Sequence, residues 1–338
     1  HGVLLAYEIS SHELNNETIS IFNISNEERI PQNNFFNLDI ANVKIPNPKK
    51  KKKLDKNNLK NADLKNQDLK NEDLDNADLT KANLTNAKLN NAKLKNAKLQ
   101  NAKLKKADLS SAKLNNAKLQ NADLIYAKLE KADLSSADLG GANLKKADLK
   151  EADLTGADLK KANLSSAKLR NANLTKANLD KARLKRADFK NANLKEAELK
   201  EANLKSSNFK KAILESADLT KSNLKKANFK KADLTDVKFI DANLTKADFK
   251  GATIQNGNFS NANLINADFR NSDLRKADFS DANLNYADLR GSFFKDANFK
   301  NSSIIGTEID IYQGIRLLGC PDYYPLGWIC QDNYLIRD

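Results

Sequence analysis

The sequence predicts an all-β solenoid, a square coil of very short parallel strands. Three observations predict it. Every fifth residue from Leu54 to Ile309 is Leu, Phe or Ile, which makes 52 consecutive units in one register. Two residues before each lies a small residue, which is Ala without exception from Ala77 to Ala202. The two residues after each large one are mostly polar, as in Leu64-Lys65-Asn66.

A period of five fits neither common template. On a straight helix it would spiral the large residue around every face, and on a straight strand it would alternate faces. The pattern closes only if the chain turns once per unit. The small and large residues, two apart, then point inward from a short extended side, the residue between them points outward, and the polar pair makes the corner. Four sides complete a square, and 52 units make about 13 coils. The small position prevents overpacking of the centre.

Units such as Ala62-Asp63-Leu64 and Ala82-Asn83-Leu84 resemble the pentapeptide-repeat family. The resemblance covers about three quarters of the chain. It implies a right-handed quadrilateral parallel β-helix, a solenoid found by its internal period.

The expected organisation is an irregular N-terminal capping segment over 1–53, the repeat β-helix over 54–309 and a C-terminal cap over 310–338. In the first segment Val3 to Ile9 and Thr18 to Ile24 read as two strands of a hairpin able to cover the first coil. Phe36-Asn37-Leu38 and Ala41-Asn42-Val43 have the repeat spacing out of register, and Pro46 and Pro48 break it. Lys49 to Lys53 read as a solvated bulge, with nuclear localisation the lesser reading. All five Pro lie outside the coil, where ladder N–H groups are needed. Within the coil, Phe189, Phe209, Phe229, Phe249 and Phe269 should stack on one side, with Phe239, Phe259, Phe279 and Phe299 opposite. After Ile309 the rule lapses. Tyr323, Tyr324, Leu326, Trp328 and Ile329 are expected to fold over the last coil.

Both cysteines, Cys320 and Cys330, lie in the tail. They could close a disulfide in an oxidising compartment or remain reduced, and the sequence leaves both open. The sequence has no Met, which is expected of a chain whose leader was removed or of a trimmed piece. Together with the possible disulfide this weakly favours export or an organelle lumen, with the cytoplasm the alternative. No apolar run approaches the ~20 residues of a membrane-spanning helix.

The net charge of +13 divides into +1 before the coil, +14 within it and −2 after it. Positions twenty apart should form columns along the rod. One reads Lys150, Arg170, Lys190, Lys210, Lys230, Lys250, Arg270 and Arg290. Lys185, Lys205 and Lys225 lie across the neighbouring corner. The outward residues between them include Asp148, Asp188, Asn208, Asn228, Asp248, Asp268 and Asp288. These columns read either as a soluble face or as a strip that binds polyanions. No aromatic residue interleaves with them, so base stacking is not supported.

Enzyme chemistry is poorly supplied: the coil has no His, no Cys and no Gly-rich phosphate loop. No catalytic residue, metal site or cofactor is expected, and His1 and His12 lie far from both cysteines. Threonine columns able to order ice are absent, and sequons such as Asn83-Leu84-Thr85 follow from the repeat itself. The leading expectation is a non-enzymatic scaffolding rod that binds a protein or itself. Polyanion binding through the columns is the alternative. Some relatives that confer fluoroquinolone resistance mimic DNA and bind gyrase, but that requires an acidic rod, so this third reading is disfavoured.

Overall fold

The structure is a computed structural model and describes residues 56, 59–310 and 315–337. The expected N-terminal hairpin, the lysine run and Leu54 lie outside the described residues. From Leu59 the chain winds as the period requires. Each outward residue pairs in parallel with the one twenty further on, from Asp63 with Asn83 to Asp288 with Glu308, so four units make one coil.

The backbone hydrogen bonds account for the unit almost completely. In the unit of Ala82 and Leu84, the Ala82 N–H donates to the Leu79 carbonyl, closing the corner. Asn83 N–H donates to Ala62 O on the preceding coil, and Leu84 N–H to Lys103 O on the following one. The second corner residue, Asn86, donates to Lys105 O of the next coil. One N–H per unit remains, that of the first corner residue. Where the outward residue is Asp or Asn, its Oδ1 commonly accepts that proton, as Asp78 does from Thr80 (3.0 Å) and Asn178 from Asp180 (3.0 Å). By sequence the outward position belongs to the surface alone. The structure adds a capping role, in keeping with the buried-backbone rule and with the tendency of short polar side chains to bond nearby backbone.

The second corner residue has positive φ in unit after unit: Asn86 at 57°, Lys106 at 58°, Lys226 at 61°. A turn with positive φ at its third residue favours Gly or Asn. Lysine is tolerated because corner and ladder bonds on both sides fix the conformation.

Leu and Ala fill the coil centre at essentially zero exposure. The two phenylalanine columns stack as the spacing predicts, with centroids 4.8 Å apart for Phe189 and Phe209 and 5.0 Å for Phe239 and Phe259. They also meet edge-on across the centre, Phe229 against Phe239 at 5.6 Å. Gly257 replaces Ala because an added Cβ would approach Ile254 Cγ2 to 2.7 Å. The β-branch at Ile254 therefore requires a smaller partner.

Parallel pairing outlasts the sequence rule. Asn298 pairs with Gly319 and Ser303 with Tyr323, the first across 21 residues instead of twenty. The tail then forms a three-stranded antiparallel sheet from β1 (Ile315–Arg316), β2 (Trp328–Gln331) and β3 (Tyr334–Arg337), in the order β1-β3-β2. Its packing differs from expectation. Leu317, Pro321 and Leu335 are buried, and Trp328 packs partly against the core. Tyr323 stays exposed and Leu326 is fully so, because Leu326 sits in the turn where Trp328 N–H bonds Pro325 O, followed by Gly327 at φ 80°. Cys320 and Cys330 are joined by a disulfide, with Cα atoms 5.9 Å apart.

Candidate binding face

The coil turns sequence columns into physical ones. Lys150, Arg170, Lys190, Lys210, Lys230, Lys250, Arg270 and Arg290 all occupy first-corner positions and form one ridge. Lys185, Lys205 and Lys225 occupy the preceding corner and form the ridge on the other side of the same face. The floor between them is the outward column from Asp148 through Asn208 and Asn228 to Asp288.

The ridge is not uniform. Toward the N-terminal end, Lys150 pairs with Asp148 at 3.4 Å, and Arg170 reaches forward one rung to Asp188. Toward the C-terminal end, Arg270 binds Asp268 at 2.5 Å and lies 3.3 Å from Asp288, and Arg290 binds Asp288 at 2.6 Å and Glu308 at 2.9 Å. Lys230 pairs with Asp248 at 2.8 Å. Among the described residues, Lys190, Lys210 and Lys250 on this ridge and Lys185, Lys205 and Lys225 on the other make no ion pair. On the two middle rungs the floor itself is neutral. Asn208 and Asn228 carry no charge; they cap the N–H groups of Lys210 (3.2 Å) and Lys230 (3.0 Å) as Asp does elsewhere.

Elsewhere opposite charges pair rung to rung along a column, as in Lys176 with Glu196 (3.5 Å), Lys181 with Glu201 (3.5 Å) and Lys195 with Glu215 (2.9 Å). The paired carboxylates respond to their environment. Burial, the largest influence on Asp268, pushes its pKa up, but the Arg270 side chain and N–H more than reverse this and hold it below the ordinary value. Asp288 behaves likewise with Arg290. At Asp273 the Arg275 side chain dominates and lowers the pKa against the effect of burial.

Exposed apolar side chains break the pattern of the repeat. Phe293 occupies an outward position and is 68 % exposed, with a shallow cleft on each side of it. Tyr126 and Tyr286 project from second-corner positions, and Lys146 Nζ lies 5.1 Å from the Tyr126 ring centre and 2.8 Å from its hydroxyl. The sequence carries the signal for all three, since each departs from the polar rule of its position. Among the described residues, no group of His, Cys, Asp and Glu is placed to hold a metal, and no helix is long and apolar enough to cross a membrane.

This four-unit coil defines a class, the β-helix built from five-residue repeats. The family description "Pentapeptide repeats (8 copies)" matches residues 58–96, 92–130 and 127–165, and "Pentapeptide repeat region" matches 162–235 and 232–309. The chain belongs to the pentapeptide-repeat family. Among solved structures it is similar to HetL from the cyanobacterium Nostoc sp. strain PCC 7120, a pentapeptide-repeat protein involved in heterocyst differentiation regulation. The identity is 30 %, over 71 % of this chain and 90 % of that one, with a TM-score of 0.22. It is similar also to QnrB1, a plasmid-mediated fluoroquinolone resistance protein, at 19 % identity over 61 % and 92 % of the two chains and a TM-score of 0.33. A third is a pentapeptide-repeat protein of the Arabidopsis thaliana thylakoid lumen, at 34 % identity over 36 % and 70 %, with a TM-score of 0.18. No curated protein matches the chain significantly in sequence.

Proposed function

We propose that this chain is a non-enzymatic scaffolding rod that binds a macromolecular partner, or further copies of itself, through its flat sides or an end. The observation that carries this reading is the hydrogen-bond pattern of the unit. The backbone is satisfied coil against coil, so side chains stand out in fixed columns on a stiff support. Such columns suit recognition of an extended surface, and no described cleft gathers a nucleophile, base and oxyanion donor. The tail acts in this reading as the cap of the coil. The disulfide favours an oxidising compartment, exported or lumenal, over the cytoplasm. Sedimentation of the purified chain over a range of concentrations, with capture of partners by face-specific variants, tests the proposal. A higher oligomer, or a partner lost on altering one face, is expected. Turnover of a substrate by the purified rod would overturn it.

A second reading, polyanion binding, is favoured by the unpaired lysines beside Asn208 and Asn228. A DNA-mimic role is the weakest of the three, because the coil carries +14 where the mimic must be acidic.

A further inference from the structure

We propose that the middle of the face between Lys185 and Lys230 is a discrete site for the phosphate backbone of a nucleic acid, read without regard to base sequence. This rests on the polyanion reading above and narrows it to one patch and one ligand class.

The geometry is a neutral floor between two basic ridges. Asn208 pairs in parallel with Asn228, and Asn208 Nδ2 donates to Asp188 Oδ1 at 2.9 Å. Phe209 and Phe229, next to these asparagines, point inward and are fully buried. Lys190 and Lys210 stand on one side and Lys205 and Lys225 on the other, and none of the four has a carboxylate partner. The nearest carboxylates are already engaged, Asp188 by Arg170 and Asp248 by Lys230. Along the same ridge Lys150 is bound to Asp148 and Arg170 to Asp188 on the N-terminal side, and Lys230 to Asp248 and Arg270 to Asp268 on the C-terminal side, with Lys250 between the last two unpaired.

Size and chemistry select the ligand. Two rung steps at ~4.8 Å span about 10 Å, which is about three phosphate spacings of one B-form strand at ~3.4 Å each. Ammonium groups act as point charges and suit phosphates, whereas bidentate base contacts favour Arg. The floor has no aromatic ring for base stacking and no apolar residue to enter a bilayer. The ligand is therefore a regularly spaced linear polyanion, and a membrane surface is the poorer fit.

The test uses the full chain. Binding of a fluorescent 20-base-pair duplex, the matching single strand and vesicles of mixed phosphatidylserine and phosphatidylcholine is measured at several salt concentrations. One variant carries Lys190→Gln, Lys205→Gln, Lys210→Gln and Lys225→Gln. A control of equal charge carries Lys161→Gln, Lys176→Gln, Lys181→Gln and Lys221→Gln on other corners. Circular dichroism establishes that both fold. The wild type should bind nucleic acid with a steep salt dependence. The patch variant should bind on the order of 100-fold more weakly, with the slope of log K against log salt shallower by about 0.9 for each phosphate no longer neutralised. The control should stay within a few-fold. If the wild type binds nucleic acid but both variants weaken equally, the patch is wrong while general polyanion binding stands. If the wild type binds no nucleic acid even at low salt, both are wrong. Tighter binding to vesicles than to nucleic acid would overturn the ligand class.

Discussion

Phe229 tests where the rod keeps its stability. Its ring is fully buried and stacks on Phe209 at 4.9 Å and Phe249 at 5.0 Å, and it meets Phe239 edge-on at 5.6 Å. Phe229→Ala removes all three ring partners and leaves a hole that the ladder on both sides prevents from collapsing. The expected cost is about 3–5 kcal/mol. Phe229→Leu restores the residue used on most rungs but gives up the ring stacking, worth ~0.5–1.5 kcal/mol per pair in favourable cases, so it should fall between Ala and wild type. Asn228→Ala, one residue away and outward, removes only the bond to the Lys230 N–H and should cost about 0.5–1.5 kcal/mol. In a solenoid each coil touches only its neighbours, so the damage should be local. Guanidinium unfolding gives the totals. Hydrogen exchange gives the location, with faster exchange near Phe209 to Phe249 and none near Leu84 to Leu124. Equal losses for Phe229→Ala and Asn228→Ala, or exchange rising evenly along the rod, would refute the assignment of inside and outside.

Asp153→Ala should cost about 0.5–1.5 kcal/mol, because Asp153 accepts both the Thr155 N–H (3.0 Å) and its hydroxyl (2.6 Å); Asp153→Asn should be nearly silent in a thermal melt, since Asn173 makes the same pair of bonds to Thr175. Acid should destabilise the C-terminal rungs: Asp268, Asp273 and Asp288 have folded pKa values below the ordinary carboxylate value near 3.8, so their contribution is complete above that pH and is lost as pH falls through the folded values. Replacing Arg270 and Arg275 by Gln should flatten the stability-against-pH curve below pH ~4, and an unchanged acid limb would count against those pairs. Reducing the Cys320–Cys330 bridge should loosen the tail by about 2–3 kcal/mol on a chain-entropy estimate, read as faster proteolysis at β2 and β3 with the coils between Leu59 and Leu289 unchanged.

The fold is legible in the sequence because a small and a large apolar residue, two apart and repeated every five, have one consistent packing. Ala82 and Leu84 follow from that alone. The second role of the outward Asp and Asn is not legible there. It depends on the distance from Oδ1 to an N–H two residues on, which exists only once the corner is formed. The positive φ of the second corner residue is masked by Lys106 and Lys226 standing where Gly or Asn is expected. The tail departs from its sequence expectation for a related reason. Tyr323 and Leu326 look like core residues by composition, but pairing with Ser303 and the turn at Pro325 turn them outward.

The candidate site is half legible. Column membership follows from counting in twenties, so the eight basic positions and the neutral Asn208 and Asn228 can be read directly. Which cation meets which carboxylate cannot. Arg170 passes over its own rung, where Lys168 stands, and takes Asp188. That choice removes the carboxylate nearest to Lys190. Lys230 does the same with Asp248 on the far side. At physiological salt, charges more than ~8 Å apart are largely screened, so acids two rungs away, about 10 Å along the rod, do little to offset Lys210. The field of the middle rungs is therefore decided by first neighbours. Those neighbours are two amides and two carboxylates already taken, which is why Lys190 and Lys210, with Lys205 and Lys225 across the face, keep their charge available to a polyanion.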